Sequence, residues 1–444
     1  MVYYYYQKSA RFSRFRSGNR EGREARGVEK LLEKLREMGP KAILVVLAAV
    51  MLFLAIVAAV VIGVIETKKA NDLRKKNEQI RYEQLQNEQA ELSRLDGIYQ
   101  ETKQKAAAAL PGFICLGDDL AAGRGDQRVN FELILQQAIS EEVFSALSFE
   151  TAVTEQYRSV VHSNAKRYSL PAANVVSYGE SRASTATTLA MDGAYPILLT
   201  EKLTVPAGTD EVRTSFRTER GDYIRPLLGE SKRSENVSLE KDDGTKISGT
   251  LTVRGSIDNP IYSFRRAEAG EPMEFPAGSR IVTEQSQENR NLFPIVWMGM
   301  NEGYHSTEEL IEQCKLLLAD KPLYEEGYYL VIGLLDRPDT EEAFEAAFGE
   351  HYLNARKFLN EQGLATLGLT AAEDEREQTA IAYGEVPLSL RHIYNAEITP
   401  FYLNANGYTA IGKEVYRKID ALGYFTAVRG VIADAMEQVR AGAN

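Results

Sequence analysis

The chain has 444 residues, of which 44% are hydrophobic and 26% charged, with 33 glycines and 14 prolines. That length supports two or three folded units without covalent staples, and those proportions exclude a globally disordered, collagen-like or polytopic membrane protein. A formal net charge of -11 argues against a nucleic-acid binder, which needs a basic face to release counterions from phosphates.

Residues 1–41 begin with the run Tyr3 to Tyr6 and are rich in arginine and lysine, and they read as a basic cytoplasmic tail. Residues 42–65, from Ala42 to Ile65, hold no charged or strongly polar side chain over 24 positions. A helix of that length reaches about 36 Å, more than a hydrocarbon core of about 30 Å, so the segment is predicted to be a retained transmembrane helix. No small-residue cleavage site follows it, as a signal peptide would require. Basic residues flank it equally close by: Arg23, Arg26, Lys30, Lys34, Arg36 and Lys41 before, Lys68, Lys69, Arg74, Lys75, Lys76 and Arg81 after. The further Lys8, Arg11, Arg14, Arg16 and Arg20 tip the orientation toward an amino terminus inside and the large carboxy-terminal part outside the cell.

Residues 66–109 are rich in Glu, Gln, Lys and Arg, with Gly97 as the one glycine, and predict a helical stalk ended by Pro111. Leu73 and Ile80 are seven apart, as are Leu85, Leu92 and Tyr99, but the two sets are out of register. A broken heptad of this kind leaves two readings open, a homo- or hetero-oligomerising stalk and a solvated spacer.

Gly112 to Leu116 is a short apolar run that breaks into Gly117-Asp118-Asp119-Leu120-Ala121-Ala122-Gly123. A buried strand giving way to a glycine-flanked turn presents that turn at the carboxy-terminal edge of a sheet, where α/β proteins keep their ligands. Cys115 lies within this strand and Cys314 in a later apolar stretch, and both read as buried thiols. Residues 200–290 change character: Lys202–Val205, Val237–Glu240 and Lys246–Val253 are short and rich in Thr and Val, and Asp242-Asp243-Gly244 is a hairpin signal. This predicts an all-β insertion.

The first block resembles that of the SGNH (GDSL) hydrolases, whose nucleophilic serine corresponds to Asp119. Val175 to Ser181 is similar to the family's second block, with Gly179 as an oxyanion-hole donor, and Pro294 to Glu302 is similar to the third, with Asn301 as the other donor. Leu403 to Gly412 is similar to the stretch after the family's D-x-x-H, which puts Thr399 at its aspartate and Tyr402 at its histidine. A membrane-anchored subset common in Gram-positive bacteria is similar through Tyr262 to Arg266, Ala269 to Glu271 and Phe348 to Leu353. The resemblance implies a three-layer α/β/α domain with first part 110–199, insertion 200–290, second part 291–430, and a tail over 431–444. It implies no cofactor and no metal.

Serine-type acyl transfer needs a hydroxyl nucleophile, an imidazole base and an orienting carboxylate, and none stands at its matching place. Of the four histidines, His162, His305, His351 and His392, His305 lies four residues beyond Asn301 and His392 precedes the final block, and Ser181 and Ser184 are the serines close to Gly179. The first reading is therefore a catalytically inactive binding or scaffold protein of the cell envelope, with a pocket for glycan or acylated small molecules. The alternative is a carbohydrate acetyl esterase using a relocated serine and histidine, and a second alternative is a structural envelope component pairing through its stalk. A cluster of Asp118, Asp119, Glu180 and Asp126 would be a further way to do acid–base or cation chemistry, without a metal-ligand spacing to support it.

Overall fold

The computed structural model describes residues 30, 33–34, 36–37, 39–126, 129–144, 173–229, 233–256, 258–394 and 397–442, with backbone alone over 394 and 397–401. His162 and most of the basic tail lie outside the described residues. The chain divides into two units, residues 1–90 and 91–444.

In the first unit runs most of α1 (Pro40–Ala109), whose apolar portion is the one described helix long and apolar enough to cross a membrane. None of that portion is buried within the protein, and Leu44, Leu52, Phe53 and Ile62 are all exposed. An uncovered apolar helix of this length is stable where lipid replaces protein as its solvent.

The second unit begins at Glu91, not at residue 110. The last turns of α1 bury Leu95, Tyr99, Thr102 and Ala106, spaced four, three and four residues apart, so one helical face joins the core. The expected stalk therefore ends before Glu91. After it come β1 (Phe113–Gly117), α2 (Phe131–Ile139), β2 (Val175–Gly179) and α3 (Thr185–Asp192).

Nine strands follow among the described residues: β3 (Ile197–Leu199), β4 (Leu203–Val205), β5 (Val212–Thr214), β6 (Phe216–Thr218), β7 (Ser234–Glu240), β8 (Lys246–Gly255), β9 (Pro260–Arg266), β10 (Met273–Phe275) and β11 (Arg280–Thr283). Seven form an antiparallel sheet in the order β5-β9-β8-β7-β11-β3-β6, and β10 pairs with β4. Strands β7 and β8 alternate buried and exposed residues, as a sheet covered on one face should. The turn between them carries Gly244 at φ 83, a left-handed backbone in which a side chain would be strained.

The chain then returns through β12 (Phe293–Trp297), α4 (Thr307–Leu318), α5 (Pro322–Glu325), β13 (Leu330–Ile332), α6 (Glu341–Phe348) and β14 (Tyr352–Leu353). It closes with the hairpin β15 (Arg391–Tyr394) and β16 (Glu397–Leu403), then α7 (Ala405–Ala421) and α8 (Thr426–Ala441). Residues 431–444, expected as a tail, mostly belong to α8, which buries Val428, Ile432, Ala435, Met436 and Val439 along one face.

A parallel sheet of order β14-β13-β12-β1-β2 organises this unit. Every residue of β1 and β12 is buried, which requires cover on both faces. Phe113, Cys115, Phe293, Ile295 and Trp297 enter a core with α2, α7, α8 and the end of α1. Their neighbours Ile114, Leu116 and Val296 enter a second core with α3, α4, α6 and the antiparallel strands. Strand alternation thus sends one apolar set to each side. The unit is mixed α/β, with the turn after β1 at the sheet's carboxy-terminal edge.

Candidate functional site

That turn starts where Gly117 stands at φ 159, paired with Gly179 in β2 and Trp297 in β12. A Cβ on Gly117 would come within 1.9 Å of the Trp297 carbonyl oxygen, so only glycine fits. Gly179 is tight for a similar reason, since a Cβ there would come 2.4 Å from the Ala122 backbone nitrogen. Three strand ends are thus drawn close enough for the loops after them to meet.

Asp118 ties two of these loops together. Its Oδ2 accepts the N–H groups of Gly299 (2.9 Å) and Met300 (2.8 Å), and its Oδ1 accepts that of Leu120 (3.3 Å). Burial pushes its carboxyl up to about 7, against the pull of the three N–H groups, with the neighbouring Asp119 charge adding to the rise. Asp118 is a structural clasp.

Asp119 is fully buried and turns the other way. Its Oδ1 pairs with Arg124 Nη1 (2.9 Å) and accepts the backbone N–H of Arg182 (2.9 Å). Its Oδ2 accepts the Asn301 amide (3.0 Å) and lies 3.4 Å from the Tyr402 hydroxyl. The structure therefore brings together Asp119, Asn301 and Tyr402, three of the positions singled out in the sequence. It adds Arg124 and Arg182, which were not. Arg124 sits over the Tyr402 ring, 4.8 Å from its centroid. Arg182 adopts φ 68, an unusual left-handed backbone for a non-glycine residue, and it is this residue whose N–H reaches the carboxylate. Backbone donors of this kind leave no mark in a sequence, whereas an arginine five residues after Asp119 was a readable signal.

Burial raises the Tyr402 phenol above its ordinary range, and the Asp119 charge raises it further. Asn301 also donates to the Ala183 carbonyl (3.0 Å), which fixes its amide orientation. Thr399 lies on β16, and its side chain lies outside the described residues.

The other candidates are placed elsewhere or used otherwise. Ser184 is the N-cap of α3, its Oγ accepting the Thr187 N–H at 3.2 Å. Ser181 lies in the turn after β2, partly exposed. His305 is exposed just before α4, and its backbone N–H donates to Glu309 at 2.8 Å. His392 on β15 comes nearer: a Cβ on Gly125 would meet the Cβ atoms of Tyr402 at 3.1 Å and His392 at 3.2 Å. His351 stacks on Tyr329, 4.1 Å between ring centroids. Glu180 accepts the Leu228 N–H (2.9 Å), and Arg225 N–H donates to Thr187 Oγ1 (3.2 Å), so a loop of the β-rich insertion lies against the segment after β2. Asp118, Asp119 and Glu180 hence go to separate tasks, and among the described residues no group of three His, Cys, Asp or Glu side chains could hold a metal ion.

No protein-family model, curated protein or solved structure matches this chain.

Proposed function

We propose that this is a membrane-anchored, extracytoplasmic protein with an SGNH-hydrolase-like three-layer α/β/α domain, catalytically inactive, which binds or scaffolds glycan or acylated material of the cell envelope. One observation carries the reading: the Asp119 carboxylate already takes the Asn301 amide and the Arg182 N–H. In acyl transfer such donors must be free for the oxygen that becomes negative in the transition state. A fixed anion in their midst both occupies them and repels a second one.

The proton-handling side supports the same reading. Tyr402, at the place of the family's histidine, has a phenol raised further above its ordinary range, so at neutral pH it keeps its proton and cannot act as a base. The apolar helix over Ala42–Ile65 supports anchoring, and the excess of basic residues before it supports an extracytoplasmic domain.

The test uses the full-length protein in detergent with a chromogenic acetyl ester. No turnover above the protein-free rate is expected. Turnover that survives Asp119→Ala and disappears with His392→Ala, His305→Ala, Ser181→Ala or Ser184→Ala would overturn the reading in favour of an active esterase.

A further inference from the structure

Away from the Asp119 cluster, and sharing none of its residues, a cavity of about 450 Å³ opens between α4, α5 and the β6 end of the insertion. Ligand sites occupy about 300–1,000 Å³, so this one is large enough for a small molecule. Glu309, Gln313 and Leu316 line it from one face of α4, at spacings of four and three residues. Tyr324 of α5 and Tyr195, just after α3, add aromatic walls.

The charges here are already matched. Arg220 lies over the Tyr195 ring (5.0 Å to the centroid), donates to its hydroxyl and reaches Glu309 at 3.4 Å. On the rim Lys315 pairs with Glu312 at 2.8 Å. An ionic ligand would have to break one of these pairs. An uncharged polyol need not, because each hydroxyl can donate to a carboxylate and accept from a guanidinium or ammonium at once. Gln313 lines the cavity from a position 3% exposed, and its amide N–H donates to the Gly303 carbonyl (2.8 Å), which holds the side chain in place. Leu316, Ala319 and Tyr324 offer the apolar surface on which the C–H face of a sugar ring can lie.

We propose that this cavity is a binding subsite for an uncharged sugar unit of a glycan chain. The proposal does not depend on the Asp119 cradle binding anything. It is tested by calorimetry on the full-length protein in nanodiscs, with chitotetraose and cellotetraose as probes. Saturable binding of at least one is expected, weakened about tenfold or more by Leu316→Trp, which fills the cavity from a position 41% exposed, and by Arg220→Ala. The proposal is overturned if neither saccharide binds up to about 10 mM, or if the two cavity variants bind as the parent does.

Discussion

The Asn301 side-chain amide donates to the Asp119 carboxylate at 3.0 Å across 182 residues of chain, and so closes the loop after β12 onto the turn after β1. Asp119 is fully buried, the Arg124, Asn301 and Tyr402 residues that reach it are half-buried, and each donor would lose an acceptor if the carboxylate were removed.

Asp119→Ala should therefore lower the stability of the folded unit by about 3 kcal/mol, because it strands the Asn301 amide, the Arg182 N–H and the Arg124 charge together. Asp119→Asn keeps one acceptor oxygen and should cost about 1 kcal/mol. Urea unfolding of the two variants reads the difference. Equal losses would mean that the hydrogen bonds do not hold these loops.

Glu132, in the first turn of α2, is 6% exposed, and burial pushes its carboxyl up to about 7, with the Ser177 hydroxyl and Cys115 thiol only partly offsetting the rise. Its ordinary value is 4.5. Between those two pH values the folded chain holds a proton that the unfolded chain has released, so this group's contribution is full below about 4.5 and is lost as pH rises through about 7. Wild type should thus lose on the order of 3 kcal/mol relative to Glu132→Gln between pH 4.5 and pH 8. Denaturation at the two pH values checks it, and a difference independent of pH refutes it.

Lys321 Nζ lies 2.7 Å from Asp192 Oδ2 and 2.8 Å from Asp320 Oδ1, with the Lys321 and Asp192 side chains each 1% exposed. Removing Lys321 strands the buried Asp192 carboxylate, and removing Asp192 leaves the buried Lys321 ammonium with Asp320 as its partner in this pair of contacts. Lys321→Met or Asp192→Leu alone should cost about 3–5 kcal/mol, whereas the double variant should cost less than either single one. A double-mutant cycle in urea measures this coupling. Strict additivity would contradict it.

What the sequence carried, and what it hid, can be traced to particular residues. Ala42–Ile65 is apolar throughout, Phe113–Leu116 and Pro294–Trp297 are continuous apolar runs between turn signals, and Asp242-Asp243-Gly244 falls between β7 and β8; each is a local pattern with a local cause. Asp119, Asn301 and Tyr402 were found because short motifs surround them. Arg182 was missed because it acts through its backbone. The fate of residues 91–109 was obscured by their charge: a stripe made of Leu95, Tyr99, Thr102 and Ala106 is diluted by the Glu, Lys and Gln of the opposite face. The tail expected over 431–444 lies mostly in α8, where the small Ala435 stands among Ile432, Met436 and Val439 on the buried face and weakens the apolar signal.

The change along α1 from exposed to packed helix gives a sharp contrast between two leucines. Leu85 is 49% exposed, while Leu95, ten residues on, is fully buried in the core beside the parallel sheet. Arg94 fixes the same turn, donating to the Gln438 carbonyl at 3.0 Å and the Val439 carbonyl at 3.1 Å at the end of α8. Leu95→Ala should destabilise the folded unit by about 2–5 kcal/mol through lost burial and the cavity left behind. Leu85→Ala, which removes an exposed side chain, should stay within about 0.5 kcal/mol of the parent. Both are read as shifts in the urea midpoint of the full-length protein in detergent. A loss at Leu85 comparable to that at Leu95 would show that the helix is covered well before Glu91, most directly by another copy of the chain, and dilution of the protein would then lower the midpoint.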